Sequence, residues 1–169
     1  MSISKKRALT AGVMMATAMA VTFTACKKDD DNPPAARTTT YDLKGVGADA
    51  NTVNGVVTLS ENSDSSINLS LKLNKSTKDA QQAIYLIGGT AAAPLTDTLY
   101  ANAGADVKGT GAAMTINIFK NVKTIKINTA TGQKDTAFRY ADVLKYAAYM
   151  KVLTGEKKDT LAIGLVGKK

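Results

Sequence analysis

The chain has 169 residues, a formal net charge of +8, one cysteine, no histidine and no tryptophan. Without histidine there is no Ser-His-Asp or Cys-His nucleophile system and no imidazole base, and zinc or copper loses its commonest ligand. A lone cysteine rules out an internal disulfide, and cations spread among so few aromatics do not make a nucleic-acid-binding stripe.

In chain order, Lys5, Lys6 and Arg7 open a cationic start, and Ala8 to Ala25 is uncharged, small and apolar. A membrane span needs about 20 predominantly apolar residues, and Thr10, Gly12, Thr17, Thr22 and Thr24 dilute this run, so it reads as a removable secretory signal. At its end Phe23-Thr24-Ala25-Cys26 resembles the lipobox of bacterial lipoproteins. The resemblance implies cleavage before Cys26, a thioether-linked diacylglycerol on its sulfur and an acylated new amino terminus. Each buried methylene contributes about 0.8 kcal/mol, and two or more chains give stable attachment. Taking 25 residues and three cations from 169 residues and +8 leaves 144 residues and +5, the size of one domain.

Lys27-Lys28-Asp29-Asp30-Asp31 resembles the lysine-then-acid signal that sends some lipoproteins to the outside of the outer membrane, and it reads equally as a solvated tether. Residues 26–37, with Pro33-Pro34, have the composition of a flexible spacer reaching about 18 Å. A single β-domain is predicted over 38–169. Thr38 to Leu43 reads as a first edge strand. Val53 to Ser60 and Ile67 to Asn74 bracket a polar turn, and the second run puts Ile67, Leu69, Leu71 and Leu73 on one face with polar residues on the other, the period-two pattern of a half-buried strand. Ala83 to Ile87 reads as a buried strand ended by Gly88-Gly89, and Thr96 to Ala101 as another. Met114 to Ile118 alternates, and Ile125 to Ile127 is either its continuation or a separate strand. Tyr140, Val143, Leu144 and Ala147 fall at helical spacing, predicting a short helix over 140–146. Tyr149 to Leu153 and Leu161 to Val166 read as a closing antiparallel pair. Seven or eight short strands with regular turn signals predict an all-β antiparallel sandwich.

From Val53 to Gly167 the order of segments resembles the bacterial branch of the CHRD family, whose architecture is similar to Cu/Zn superoxide dismutase. Asn54-Gly55-Val56-Val57-Thr58-Leu59 resembles its opening hairpin, and Gln82-Ala83-Ile84-Tyr85-Leu86 with Gly89-Thr90-Ala91-Ala92 its central strand and loop. Phe138 to Leu153, with Tyr140, Leu144, Tyr146 and Tyr149-Met150-Lys151-Val152, resembles its tyrosine-helix-tyrosine segment, and Ala162-x-Gly164-x-x-Gly167 its closing strand. Where that family often carries histidines this chain has Ile84, Leu86 and Leu153, so no metal and no cofactor is expected.

Several patterns invite sharper readings. Gly109-Thr110-Gly111 lacks the third glycine of a dinucleotide fingerprint, and Asp49-Ala50-Asn51 lacks the glycine and closing glutamate of a calcium loop. Glu61 and Asp64 share one turn and do not flank a cleft. Asp97-Thr98-Leu99, Asp135-Thr136-Ala137 and Asp159-Thr160-Leu161 resemble acceptors for O-linked glycans on Thr98, Thr136 and Thr160, but all three precede apolar runs and read first as turn-to-strand transitions. The function expected is a lipid-anchored, non-catalytic envelope lipoprotein at the outer membrane, facing the cell surface, whose partners are the membrane itself through Cys26 and an envelope protein or glycan. The alternative is a small-ligand or glycan carrier, or an enzyme using carboxylates and lysines in a loop-lined cleft, which requires several of Asp97, Asp106, Asp142 and Lys108 to converge.

Overall fold

The computed structural model describes residues 36–102, 107–155 and 158–168. They form ten strands and one short helix: β1 Thr38–Lys44, β2 Val53–Glu61, β3 Ile67–Leu73, β4 Gln82–Gly89, β5 Pro94–Asn102, β6 Met114–Val122, β7 Thr124–Thr129, β8 Gly132–Ala137, α1 Tyr140–Lys145, β9 Ala147–Thr154 and β10 Asp159–Gly167. The fold is all-β. The strands join in one sheet in the order β6-β3-β2-β1-β10-β9-β4-β5-β7-β8, every neighbouring pair antiparallel.

Alternation builds the inner face. In β3 Ile67, Leu69, Leu71 and Leu73 are fully buried, and Lys72 on the other face is exposed. Pairing with β2 sets Leu69 opposite Leu59 and Leu71 opposite Val57, so each buried side chain meets an apolar neighbour across the strand. The sheet curls until its ends meet. A single residue, Lys123, separates β6 at one edge from β7 near the other. Across the interior Phe119 of β6 lies edge-on to Tyr100 of β5 at 5.7 Å and to Phe138 at 5.2 Å. One apolar cluster fills the space between the facing halves, as in a sandwich.

Four readings change. Strand β1 is no edge: it lies between β2 and the C-terminal β10, with Tyr41 and Leu43 buried. The strands number ten, because Ile125–Ile127 belongs to a separate strand and β8 carries no apolar signal. Gly132-Gln133-Lys134-Asp135-Thr136-Ala137 is almost wholly exposed and is a strand because the tight turn after Thr129 folds it back onto β7, with Lys134 opposite Ile127. The helix ends at Lys145, because Tyr146 is already extended (φ −83°, ψ 123°). Tyr140 and Val143 are buried as its spacing predicts, whereas Leu144 is 38 % exposed and Ala147 belongs to β9.

The two halves of the sheet join only where β1 meets β10, with Lys44 opposite Ile163. A β-carbon on Gly164 would sit 2.4 Å from the Asp42 carbonyl oxygen and 2.9 Å from the Leu43 side chain, so glycine is what lets the strands approach. Gly164→Ala must push β1 aside, and overpacking of this kind costs about 1–3 kcal/mol. Urea unfolding should show a lower midpoint with an unchanged slope; an unchanged midpoint would mean the seam is slack.

Candidate functional site

Arg37 leads the chain into β1, and its surroundings define one end of the domain. Its Nε and Nη2 donate to Glu61 Oε2 and Oε1 at 2.5 and 2.7 Å, and its guanidinium carbon lies 4.7 Å from the centre of the Tyr140 ring. The Tyr140 hydroxyl meets Thr39 Oγ1 at 2.5 Å. First β-residues, the end of β2 and α1 are thereby tied together by a bidentate, charge-assisted pair and a cation over a ring. The Arg37 hydrogen bond holds the Glu61 carboxyl below its ordinary value. Tyr41 is buried nearby, which pushes its phenol up; its hydroxyl lies beside the Gly167 backbone without completing a hydrogen bond of ordinary geometry.

Beneath α1 is a small cavity of about 50 Å³ lined by Leu99, Ile125, Ile127, Thr136, Ala137, Phe138, Asp142 and Tyr146. The Thr136 hydroxyl is buried and has no hydrogen-bond partner. On the rim the Tyr146 hydroxyl donates to Asp97 Oδ2 at 3.1 Å, and burial, then that carboxylate, pushes the phenol up. Asp142 Oδ2 accepts from the Arg139 N–H at 3.1 Å, capping the helix. The space suits water or a small apolar group; ligand pockets run to about 300–1,000 Å³.

A concavity of that size lies on the outer face. Along the seam, where Lys44 stands opposite Ile163, β1 and β10 line a groove of about 720 Å³ with Thr40, Tyr41, Asp42, Lys44, Ile163, Gly164 and Leu165. It continues across the sheet as an apolar row, since Leu165 pairs with Tyr149 and Tyr149 with Ile87. Tyr149 is only 7 % exposed although it faces away from the core. One wall of the groove is polar, the other aliphatic, which suits hydrogen bonding along one edge of a ligand and apolar contact along the other.

The sequence candidates are dispersed. Cys26, the run Lys27–Asp31 and Asp106 lie outside the described residues. Asp97 and Asp142 stand at the Arg37 end, where β5 starts and α1 sits. Lys108 bridges to Gln81 just before β4, at the far end, in a recess of about 380 Å³ with Asp79, Ala80 and Gly155. The described members of the acid-and-lysine set therefore do not meet. Gly109 is packing: a β-carbon there would lie 2.0 Å from the Thr77 carbonyl oxygen. Asp49 Oδ2 accepts from Lys75 Nζ at 2.7 Å, and Asp64 Oδ1 accepts from the Ser66 hydroxyl and N–H at 2.5 and 3.0 Å, with Lys123 3.4 Å away. Thr98, Thr136 and Thr160 are half-buried, and of these Thr136 turns its oxygen inward. Ile84 and Leu86 are core, and Leu153 is half-buried on the outer face opposite Ala83. Among the described residues no three acids, cysteines or histidines gather in a metal-sized group.

Sequence reasoning missed both the groove, which depends on strands about 120 positions apart, and the Arg37 clamp. For the clamp a faint signal exists: an arginine one residue before a β-branched strand, with a glutamate where the partner strand must end. No protein-family model, curated protein or solved structure matches the chain.

The pH dependence follows from three carboxylates. Lys75 lowers Asp49, Arg37 lowers Glu61, and the Ser66 donors, then Lys123, lower Asp64, from ordinary values of 3.8, 4.5 and 3.8. In acid the unfolded chain therefore binds more protons than the folded one. The stabilisation is complete above those ordinary values and is lost as pH falls through the folded ones. Arg37→Met should melt below wild type at neutral pH, and the gap should close as pH falls from about 6 to about 2. A gap constant across that range would show that the ion pair adds nothing.

Proposed function

We propose that this chain is a lipid-anchored, surface-exposed lipoprotein of the outer membrane whose CHRD-like domain binds an envelope protein or glycan and carries out no catalysis. The anchor rests on the cationic start, apolar run and small residues before Cys26. The binding role rests on the outer groove between β1 and β10, a ligand-sized concavity with one polar and one aliphatic wall. Of the ionisable groups of the described residues with displaced titrations, Arg37, Asp49, Glu61 and Asp64 are engaged in contacts that tie loops and strand ends together and Tyr146 in the interior, while Tyr41 alone also lines the groove. The all-β antiparallel sheet, with a short helix between two tyrosines late in the chain, is the arrangement the CHRD resemblance implies. The enzyme alternative loses support because Asp97 and Asp142 stand at the opposite end from Lys108.

Detergent partitioning with intact-mass measurement tests the anchor. Wild type should enter the detergent phase carrying a mass increment on Cys26, and Cys26→Ala should be aqueous or unprocessed. External protease should strip the domain from whole cells, and replacing Asp29, Asp30 and Asp31 by alanine should protect it. An aqueous wild type without added mass would remove the anchor, and equal protection of both forms would put the domain inside the envelope.

The groove is tested separately, by a photo-crosslinking residue at Leu165 in living cells, which should give a discrete adduct that Ile163→Glu abolishes. The same group at Lys134 on the exposed edge strand β8 should give none. Indistinguishable adducts at the two positions would dismiss the groove as the binding site.

A further inference from the structure

We infer that the Arg37 end of the domain is a membrane-contacting face: the loop Ala91-Ala92-Ala93-Pro94-Leu95 and the outward side of α1 dip into the lipid interface while Lys145, Arg139 and Lys168 meet anionic headgroups. This rests on the anchor reading and says which surface the anchor presses against the bilayer.

Topology gathers these segments at one end. Thr38 pairs with Ser60, which places the β2–β3 turn beside Arg37. Ile67 pairs with Val122, which brings Lys123 there, and the Lys123 carbonyl accepts from the Phe138 N–H just before α1. Gly88 pairs with Ala148, setting the β4–β5 loop beside the residues that follow α1, and the Lys168 N–H donates to the Tyr146 carbonyl. The loop is preformed: Thr90 and Ala93 exchange backbone hydrogen bonds at 3.1 Å, and the Thr90 hydroxyl accepts a further bond from the Ala93 N–H.

What this end displays is apolar and cationic. Residues 91–95 are exposed without interruption, with Leu95 at 55 %, and on α1 Ala141, Leu144 and Lys145 form the outward row. Consecutive exposed apolar residues on a rigid loop are unusual on a surface facing only water. Of the acids here, Glu61 is paired with Arg37 and Asp64 with Lys123, whereas Asp97 and Asp142 accept from the neutral Tyr146 hydroxyl and Arg139 N–H and keep their charge. Arg139, Lys145 and Lys168 are exposed, and among the described residues none has an ion-pair partner; these three outnumber Asp97 and Asp142, so the surplus is a single positive charge. Buried apolar area combined with attraction to anionic lipid is how interfacial segments bind. The occupant is a bilayer because Cys26 lies eleven residues before Arg37, a length of chain that as a coil spans about 18 Å, so on the anchor reading this end lies within that distance of the lipid.

The chain has no tryptophan, so one introduced indole reports alone. The mature lipidated protein, as Leu95→Trp, is reconstituted into phosphatidylcholine vesicles containing phosphatidylglycerol and a headgroup-proximal nitroxide lipid. Its emission should shift to the blue and be quenched. That of Val46→Trp, an exposed position at the far end, should stay red and unquenched. Lys145→Glu with Lys168→Glu should reduce the Leu95→Trp quenching, and Lys78→Glu at the far end should leave it unchanged. A vesicle-bound protein whose two reporters are both silent, or equally quenched, overturns the face and leaves the anchor standing. A protein without acyl mass that fails to float with vesicles overturns both.

Discussion

The close approach of β1 to β10 is the contact on which the remaining architecture depends. One side of the sheet, β6-β3-β2-β1, is built largely from the first part of the chain, and β10-β9-β4-β5-β7-β8 from the rest. Gly164, whose place any side chain would contest with the Asp42 carbonyl and Leu43, is where they become one sheet. The first strand is therefore completed by the last, so the seam can close only after the intervening chain is in place. Contacts of such sequence separation cost loop-closure entropy before they return anything, which makes slow folding the expectation.

The same seam gives the molecule its two kinds of surface. On the inside of the seam the two halves share one core; on its outside β1 and β10 line a groove. At the Arg37 end the curl is closed by α1. Tyr140 and Val143 face inward, and Gly167 passes so near the Val143 and Tyr146 carbonyls that a β-carbon would lie 2.4 and 2.1 Å from them. Gly167 also has φ +94°, so both space and backbone conformation call for glycine. Arg37 secures this closure from outside, through Glu61 and the Tyr140 ring, so the residue that leads into the domain also fixes its end.

How much of this could be read from the sequence depended on how local the cause was. The β3 alternation was legible because a half-buried strand writes its faces into adjacent residues, and Leu71 with its neighbours needs no partner to reveal the period. Of the helix, Tyr140 and Val143 were legible, but the spacing could not tell that Leu144 points outward, since that depends on which row α1 turns to the core. Strand β8 was silent because its order comes from pairing with β7 and its residues bury little. The interior place of β1 was hidden because its second neighbour lies at the other end of the chain. The candidate site divides the same way: Cys26 is marked by contiguous residues, whereas the groove and the Arg37 end are assembled from segments far apart.

The charge of the Arg37 end has a further property that follows from which groups titrate. The chain has no histidine, the side chain whose ordinary value lies near neutrality. The displaced acids Asp49, Glu61 and Asp64 move down, and the displaced phenols Tyr41 and Tyr146 move up, so both sets leave the neutral range. The surplus is carried by Arg139, Lys145 and Lys168, and none of these is an imidazole. Proton concentration is then a poor control on the electrostatics of this surface, and ionic strength an effective one: at about 0.1 M salt, exposed charges are screened beyond about 10 Å. A face of this composition keeps its sign when the medium acidifies and weakens when it becomes saline, whereas an imidazole-based switch would gain positive charge on acidification and be screened by salt just the same.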